Sequence, residues 1–121
     1  MFYPLRSDTG AVLPFEQQPA AAGTYKPGTM LVFGDGKLVV ANNPAGRPAY
    51  VSVGHETVAD GGCLTVACAR VDVVFRCDEI VGNVAVGDKV GIVDGVKVSS
   101  DAANKIMLVV AVRDDGSVEV R

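Results

Sequence analysis

Tryptophan is absent from this chain, histidine occurs once and cysteine three times. Each scarcity removes a class of function. Metal-dependent hydrolases mostly need several imidazoles, and His55 stands alone, so no metal or cofactor is expected. Cys63, Cys68 and Cys77 are odd in number and form no C-x-x-C pair. That argues against a zinc ribbon or a thioredoxin-type site and for free thiols in a reducing compartment. The longest apolar run, Ile106 to Val112, falls far short of the ~20 residues that span a bilayer, so no membrane partner is expected. The opening MFYPLRSDTG has no basic start followed by an apolar stretch, and no secretory leader is expected. Lys and Arg are scattered along a chain of net charge −3 and pI near 5.0, which argues against a nucleic-acid partner.

What is present is a strand-rich composition. Apolar residues make up 49% of the 121 and the mean hydropathy is +0.30, which a disordered chain does not show. About one residue in five is Val, a β-branched type that favours strands. Fourteen Gly and six Pro supply turns. A chain of this length buries roughly two-thirds of its unfolded surface and can hold a core without staples. The expected class is all-β, a small β-barrel or sandwich of short antiparallel strands with an extended N-terminal arm.

The arm is expected over residues 1–28 and a single β domain over 29–121. Pro4, Pro14, Pro19 and Pro27 punctuate the first segment, and no helical or strand period survives in it. Yet it carries Phe2, Tyr3, Leu5, Val12, Leu13, Phe15 and Tyr25. Solvated tails rarely hold so many apolar side chains. Two readings stay open: the arm folds back over its own domain, or it orders against a neighbouring subunit.

From Thr29 onward the signals are short strands. Met30–Phe33 and Lys37–Ala41 flank Gly34-Asp35-Gly36, which reads as a hairpin with a three-residue loop. Ala49–Val53 alternates as the next strand. Between Cys63 and Cys77 the apolar phase switches. Leu64, Val66 and Cys68 share one face, whereas Val71, Val73, Phe75 and Cys77 follow the opposite parity. One continuous strand would turn its core face outward there, so two strands broken near Ala69-Arg70 are expected. Val84–Val93 reads as a strand, Asp94-Gly95 as a hairpin turn, and Ser100–Asn104 as room for one helical turn. Lys105–Arg113 reads as a central strand buried on both faces, and Ser117–Arg121 as the strand that closes the sheet. Seven to nine strands are expected in all.

No constellation for catalysis stands out. His55-Glu56 pairs an imidazole with a carboxylate, and Cys63 or Cys68 offers a nucleophile, but adjacent residues rarely face one another. Cys68 and Cys77 fall on apolar faces, where Cys behaves as a small hydrophobe. Asp35, Asp94, Asp114 and Asp115 lack the D-x-D-x-D-G spacing of a calcium loop. Gly34-x-Gly36 opens no helix and so is no phosphate loop.

Some stretches carry a resemblance. Pro27-Gly28-Thr29-Met30-Leu31 followed by Lys37–Ala41, then Ala49–Gly54, then Leu64–Arg76, is similar to the strand pattern of small capsid decoration (head-stabilising, cement) proteins of tailed bacteriophages. Ala85-Val86-Gly87-Asp88-Lys89-Val90 resembles a turn in a second group of phage head-associated β proteins. The lambdoid type carries a Trp near its C-terminal end, and this chain has none. The resemblance implies a non-enzymatic protein of the virion, made in the bacterial host cytoplasm. Its partner is the major capsid protein, and its expected state is a homotrimer on the outer surface of the expanded head. Partner contacts are expected on the arm at Phe2, Tyr3, Leu5, Arg6, Leu13 and Phe15. Two alternatives are another virion module, such as a head fibre or tail subunit, and a small ligand-binding or enzymatic barrel using His55.

Overall fold

A computed structural model describes residues 1–7, 13–70 and 72–121, with only the backbone of Arg6. The described residues form fourteen short strands and no helix. In chain order they are β1 (Phe2–Ser7), β2 (Phe15–Pro19), β3 (Gly23–Tyr25), β4 (Met30–Gly34), β5 (Lys37–Val40), β6 (Tyr50–Ser52) and β7 (Glu56–Val58). They continue as β8 (Cys63–Cys68), β9 (Val73–Cys77), β10 (Ile80–Val81), β11 (Lys89–Val93), β12 (Lys97–Ser99), β13 (Met107–Val112) and β14 (Val118–Val120). The all-β class holds, with more and shorter strands than the turn spacing suggests.

Three sheets stack as layers. The first is seven-stranded, in the order β1-β9-β14-β13-β11-β12-β10. It rolls back on itself: β9 leads into β10 through Asp78 and Glu79 alone, while β10 pairs with β12 at the far end of the strand order. The second sheet runs β2-β8-β6-β4-β5, and its two edges meet only at a bridge between Ala20 and Leu38. The third is the ribbon β3-β7. Among the described residues neither large sheet closes into a barrel through a continuous ladder.

Strand parity assigns the second sheet to two cores. Met30, Val51 and Ala67 join Phe2, Phe75, Ile92 and Val109 between the two large sheets. Their neighbours Leu31, Leu64 and Val66 point the other way, against Leu38, Val58 and Tyr25, under the ribbon. A strand buried on both faces reads as an apolar run, which is why Met30–Phe33 of β4 does so; β8 is interrupted only by Thr65.

The phase switch between Cys63 and Cys77 marks a change of sheet. β8 belongs to the second sheet and β9 to the first. Leu64 and Val66 serve the second core, whereas Val73, Phe75 and Cys77 are wholly buried in the first. The expected two strands are present, β8 ending at Cys68 and β9 beginning at Val73, and Val71, assigned to the apolar face, lies outside the described residues.

Several boundaries differ from expectation. The β4–β5 loop has two residues, since Gly34 pairs with Lys37; Asp35 (φ 53°) and Gly36 (φ 76°) both adopt the left-handed conformation of a type I′ turn. β11 begins only at Lys89, because Ala85–Asp88 is a turn closed by the Asp88 N–H on the Ala85 carbonyl at 3.1 Å. Residues 100–104 hold no helical turn. β13 is central but buried on one face only: Leu108 and Val112 are exposed. β14 does not finish the sheet but lies inside it, between β13 and β9.

Residues 1–7 and 13–28 are packed on the domain and are not a free arm. Of the two readings, the arm that folds back on its own domain describes the structure. β1 pairs antiparallel with β9, and β2 with β8. Phe2, Ala20 and Tyr25 are core residues. The attachment has a polar anchor as well. The Phe2 N–H donates to the Gly28 carbonyl (2.9 Å), and the Gly28 N–H donates to the Ser52 carbonyl (2.9 Å). The buried Ser52 hydroxyl accepts from the Thr29 N–H (3.0 Å) and donates to the Lys26 carbonyl (2.6 Å). The Met1 α-ammonium donates to Asp78 Oδ1 (2.9 Å), Glu79 Oε2 (2.9 Å) and the Val96 carbonyl (2.8 Å). Proline spacing hides this pairing, because a strand's ladder partners lie far away in sequence.

Candidate partner-binding edge

The six residues expected to meet a partner fall into different environments. Phe2 is wholly buried and cannot contact a partner while the domain is folded. This corrects the expectation: the ring is committed to the first core because β1 is part of the sheet. Tyr3 is half-buried, with the Arg76 guanidinium 5.6 Å from its ring centroid, a cation–π geometry. Leu13 is half-buried and packs against the first core. Arg6 stands opposite Val74 in the β1–β9 register, and its side chain lies outside the described residues. Val12 and Gly10 of the arm also lie outside them. Only Leu5, at 41% exposure, and Phe15, at 66%, present large apolar surface to solvent.

The fold brings Phe2, Tyr3 and Phe15 to one place. β1 is an edge of the first sheet and β2 an edge of the second. Between them lies an apolar cleft of about 260 Å³, whose other walls include Pro4, Pro27, Val51 and Ala67. Sequence reading misses these walls, because only the cross-sheet packing places Val51 and Ala67 beside β1.

The two edges offer different chemistry. N–H groups on an antiparallel strand alternate in direction. The Phe2 N–H, directed away from β9, is taken by Gly28, and Pro4, two residues on, has none. A shift of register between Pro4 and Arg6 breaks the ladder further. These are devices that blunt an edge against pairing. β2 carries no proline before Pro19, and among the described residues one of its sides has no ladder partner. Its Gln17 amide donates to Thr65 Oγ1 at 2.6 Å, and Phe15, Gln17 and Pro19 are exposed.

The residues of the enzymatic alternative do not converge. His55 is exposed, while the Glu56 carboxylate is occupied by Thr65, accepting from its N–H (3.1 Å) and its hydroxyl (3.2 Å). Cys63 is exposed, Cys68 half-buried and Cys77 buried, all as free thiols. Cys63 and Cys77 stand in different sheets. Burial, and secondarily the Glu16 carboxylate, push the Cys68 thiol up, which disfavours the thiolate that a nucleophile needs. Burial likewise raises Cys77, whose thiol donates to the Glu79 carbonyl at 3.3 Å. The Tyr50 hydroxyl is pushed up to about 12, first by its hydrogen bond with Glu16 and then by burial. No group of three or more His, Cys, Asp and Glu among the described residues is placed to hold a metal ion. Among the described residues no helix is long and apolar enough to cross a membrane.

A wider cleft of about 720 Å³ surrounds the Met1 ammonium, lined among others by Tyr25, Lys26, Asp78, Glu79, Asp94 and Lys97. Its charges are of both signs, and the ammonium already occupies Asp78 and Glu79. Compared with models of known protein families and with curated proteins, the chain matches none.

Proposed function

We propose that the chain is a non-enzymatic capsid decoration protein of a tailed bacteriophage, which binds the major capsid protein on the outer surface of the expanded head. The reading rests on the strand pattern that resembles such proteins. The observation that carries it is the pair of exposed apolar side chains, Leu5 and Phe15, on two edge strands that flank an apolar cleft. A protein that binds only the expanded, assembled lattice stabilises that lattice by mass action. A homotrimer multiplies three modest contacts through effective concentration. The open side of β2 suits strand addition by a capsid-protein segment, with Phe15 as the apolar anchor.

The test is co-sedimentation with expanded heads and with unexpanded precursor shells of the parent virus, beside the solution mass by light scattering. The reading expects binding to expanded heads, at three copies per site, and little to precursor shells. Deleting residues 1–26 would remove Phe2, Ala20 and Tyr25 from the cores, so the informative variant is Leu5→Ser with Phe15→Ser. That variant should stay folded and lose head binding. Wild-type protein that ignores both shells would sink the reading. Intact binding by the folded double variant would remove the edge from it.

A further inference from the structure

A third cleft, separate from the β1–β2 edge, holds a cationic group whose hydrogen bonding is incomplete. It measures about 380 Å³ and is lined by Val32, Phe33, Pro44, Ala45, Gly46, Arg47 and Ala49. Arg47 is the one charged residue among those lining it. Its Nη2 donates to the Arg70 carbonyl at 2.9 Å, while its Nε is buried with no hydrogen-bond partner among the described residues. The nearby carboxylate is turned to another partner: Asp72 makes a two-point pair with Arg70, at 3.0 and 3.1 Å. Burial, and then the positive charge of Arg121, lower the Arg47 pKa, and Asp72 opposes this only in part. Among the described residues its one hydrogen bond is to a neutral carbonyl, so the guanidinium is left with a buried donor unanswered. Beside it, Phe33 is 54% exposed, its ring edge-on to Tyr50 at 6.0 Å between centroids.

We propose that this cleft receives an acidic side chain of a protein partner, the carboxylate paired with the Arg47 guanidinium and a flanking apolar residue laid on Phe33 and Val32. Charge complementarity selects the occupant. A planar guanidinium matches a carboxylate in a two-point geometry that neither an amide nor a cation reproduces. The apolar walls exclude water from that pair and strengthen it. Calling the partner a capsid protein rests on the function proposed above; the acidic, apolar chemistry of the occupant does not.

The test is nuclear magnetic resonance titration of the full chain with two capped dipeptides, acetyl-Phe-Glu-amide and acetyl-Phe-Gln-amide. The glutamate peptide should shift the signals of Phe33, Arg47 and Ala49, and should bind roughly tenfold more tightly than its neutral isostere. Arg47→Gln should erase that difference, with a thermal melt to show that the variant folds. Should it fail to fold, Phe33→Ala at the exposed ring replaces it and should weaken the glutamate peptide several-fold. Equal binding of the two peptides, or shifts confined to the β1–β2 edge, would overturn the proposal. The assay contains no heads, so its failure with head binding intact removes this cleft alone. Success here without head binding would instead remove the decoration reading.

Discussion

Replacing Phe2 by Ala should cost the domain about 3–5 kcal/mol, the range for deleting a phenyl ring from a packed core. The ring is 0% exposed and shares its core with Phe75, Cys77 and Val51. Its neighbours stand on paired strands, and the Phe2 N–H is fixed to Gly28, so the cavity has little freedom to collapse. A domain of this size has about 5–15 kcal/mol of total stability. The loss is therefore about a fifth of it or more, and the melting temperature should fall by roughly 10–20 °C. The assay is urea unfolding followed by far-ultraviolet circular dichroism, since the chain has no Trp to report. Phe15→Ala serves as the internal comparison: its ring is 66% exposed, and its loss should cost under about 1 kcal/mol. If Phe2→Ala prevents folding, Phe2→Leu keeps most of the volume and should cost about 1.5 kcal/mol or less. A cost for Phe2→Ala near that of Phe15→Ala, at unchanged denaturant slope, would refute the placement of β1 in the core and revive a free arm.

Three further outcomes follow from the same structure. Asp78 is held below the usual carboxylate range, first by its hydrogen bond from the Met1 ammonium, and that ammonium lies above its usual 8.0, with hydrogen bonds to Asp78 and Glu79 outweighing the cost of burial. A depressed carboxyl stabilises above its unfolded value and loses this as pH falls; a raised amine stabilises below its own and loses it as pH rises. Asp78→Asn should therefore cost most between about pH 4 and 8, and under about 1 kcal/mol because both groups are more than a third exposed; a cost that does not shrink at pH 2 or pH 10 would contradict the ion pair. Gly95→Ala should cost about 2–4 kcal/mol, because φ is +71° and the new Cβ would meet Thr29 Cγ2 and Val40 Cγ1 at 2.7 Å. Gly36→Ala, at φ +76° in open space, isolates the backbone part at about 1–2 kcal/mol, and equal costs would show that the turn at Gly95 does not dock on β4 and β5. In native protein at pH 8 a thiol reagent should modify Cys63 rapidly and Cys68 and Cys77 slowly, and three equal rates would contradict the burial of the last two.

Phe2 and Phe15 show where sequence reading stops. Local signals carry the turns: Asp35-Gly36 and Asp94-Gly95 supply the left-handed residues a tight hairpin needs, and both appear where expected. Parity carries the split of β8 from β9, since a face cannot invert within one strand. Parity cannot say which sheet each half joins, because both cores accept the same Val and Leu side chains. Nor can it tell Phe2 from Phe15, two rings in one proline-punctuated segment. Phe2 is buried because the Gly28–Ser52 anchor and β9 receive β1 from opposite sides. Phe15 pairs through β8 alone and keeps its ring in solvent. The same non-locality hides the Arg47 cleft. Its walls come from β4 and from the loop before β6, and its unpaired donor is visible only once Arg70 is seen to hold Asp72. A partner-binding surface on a small β protein is thus set by which edges and charges the fold leaves unanswered.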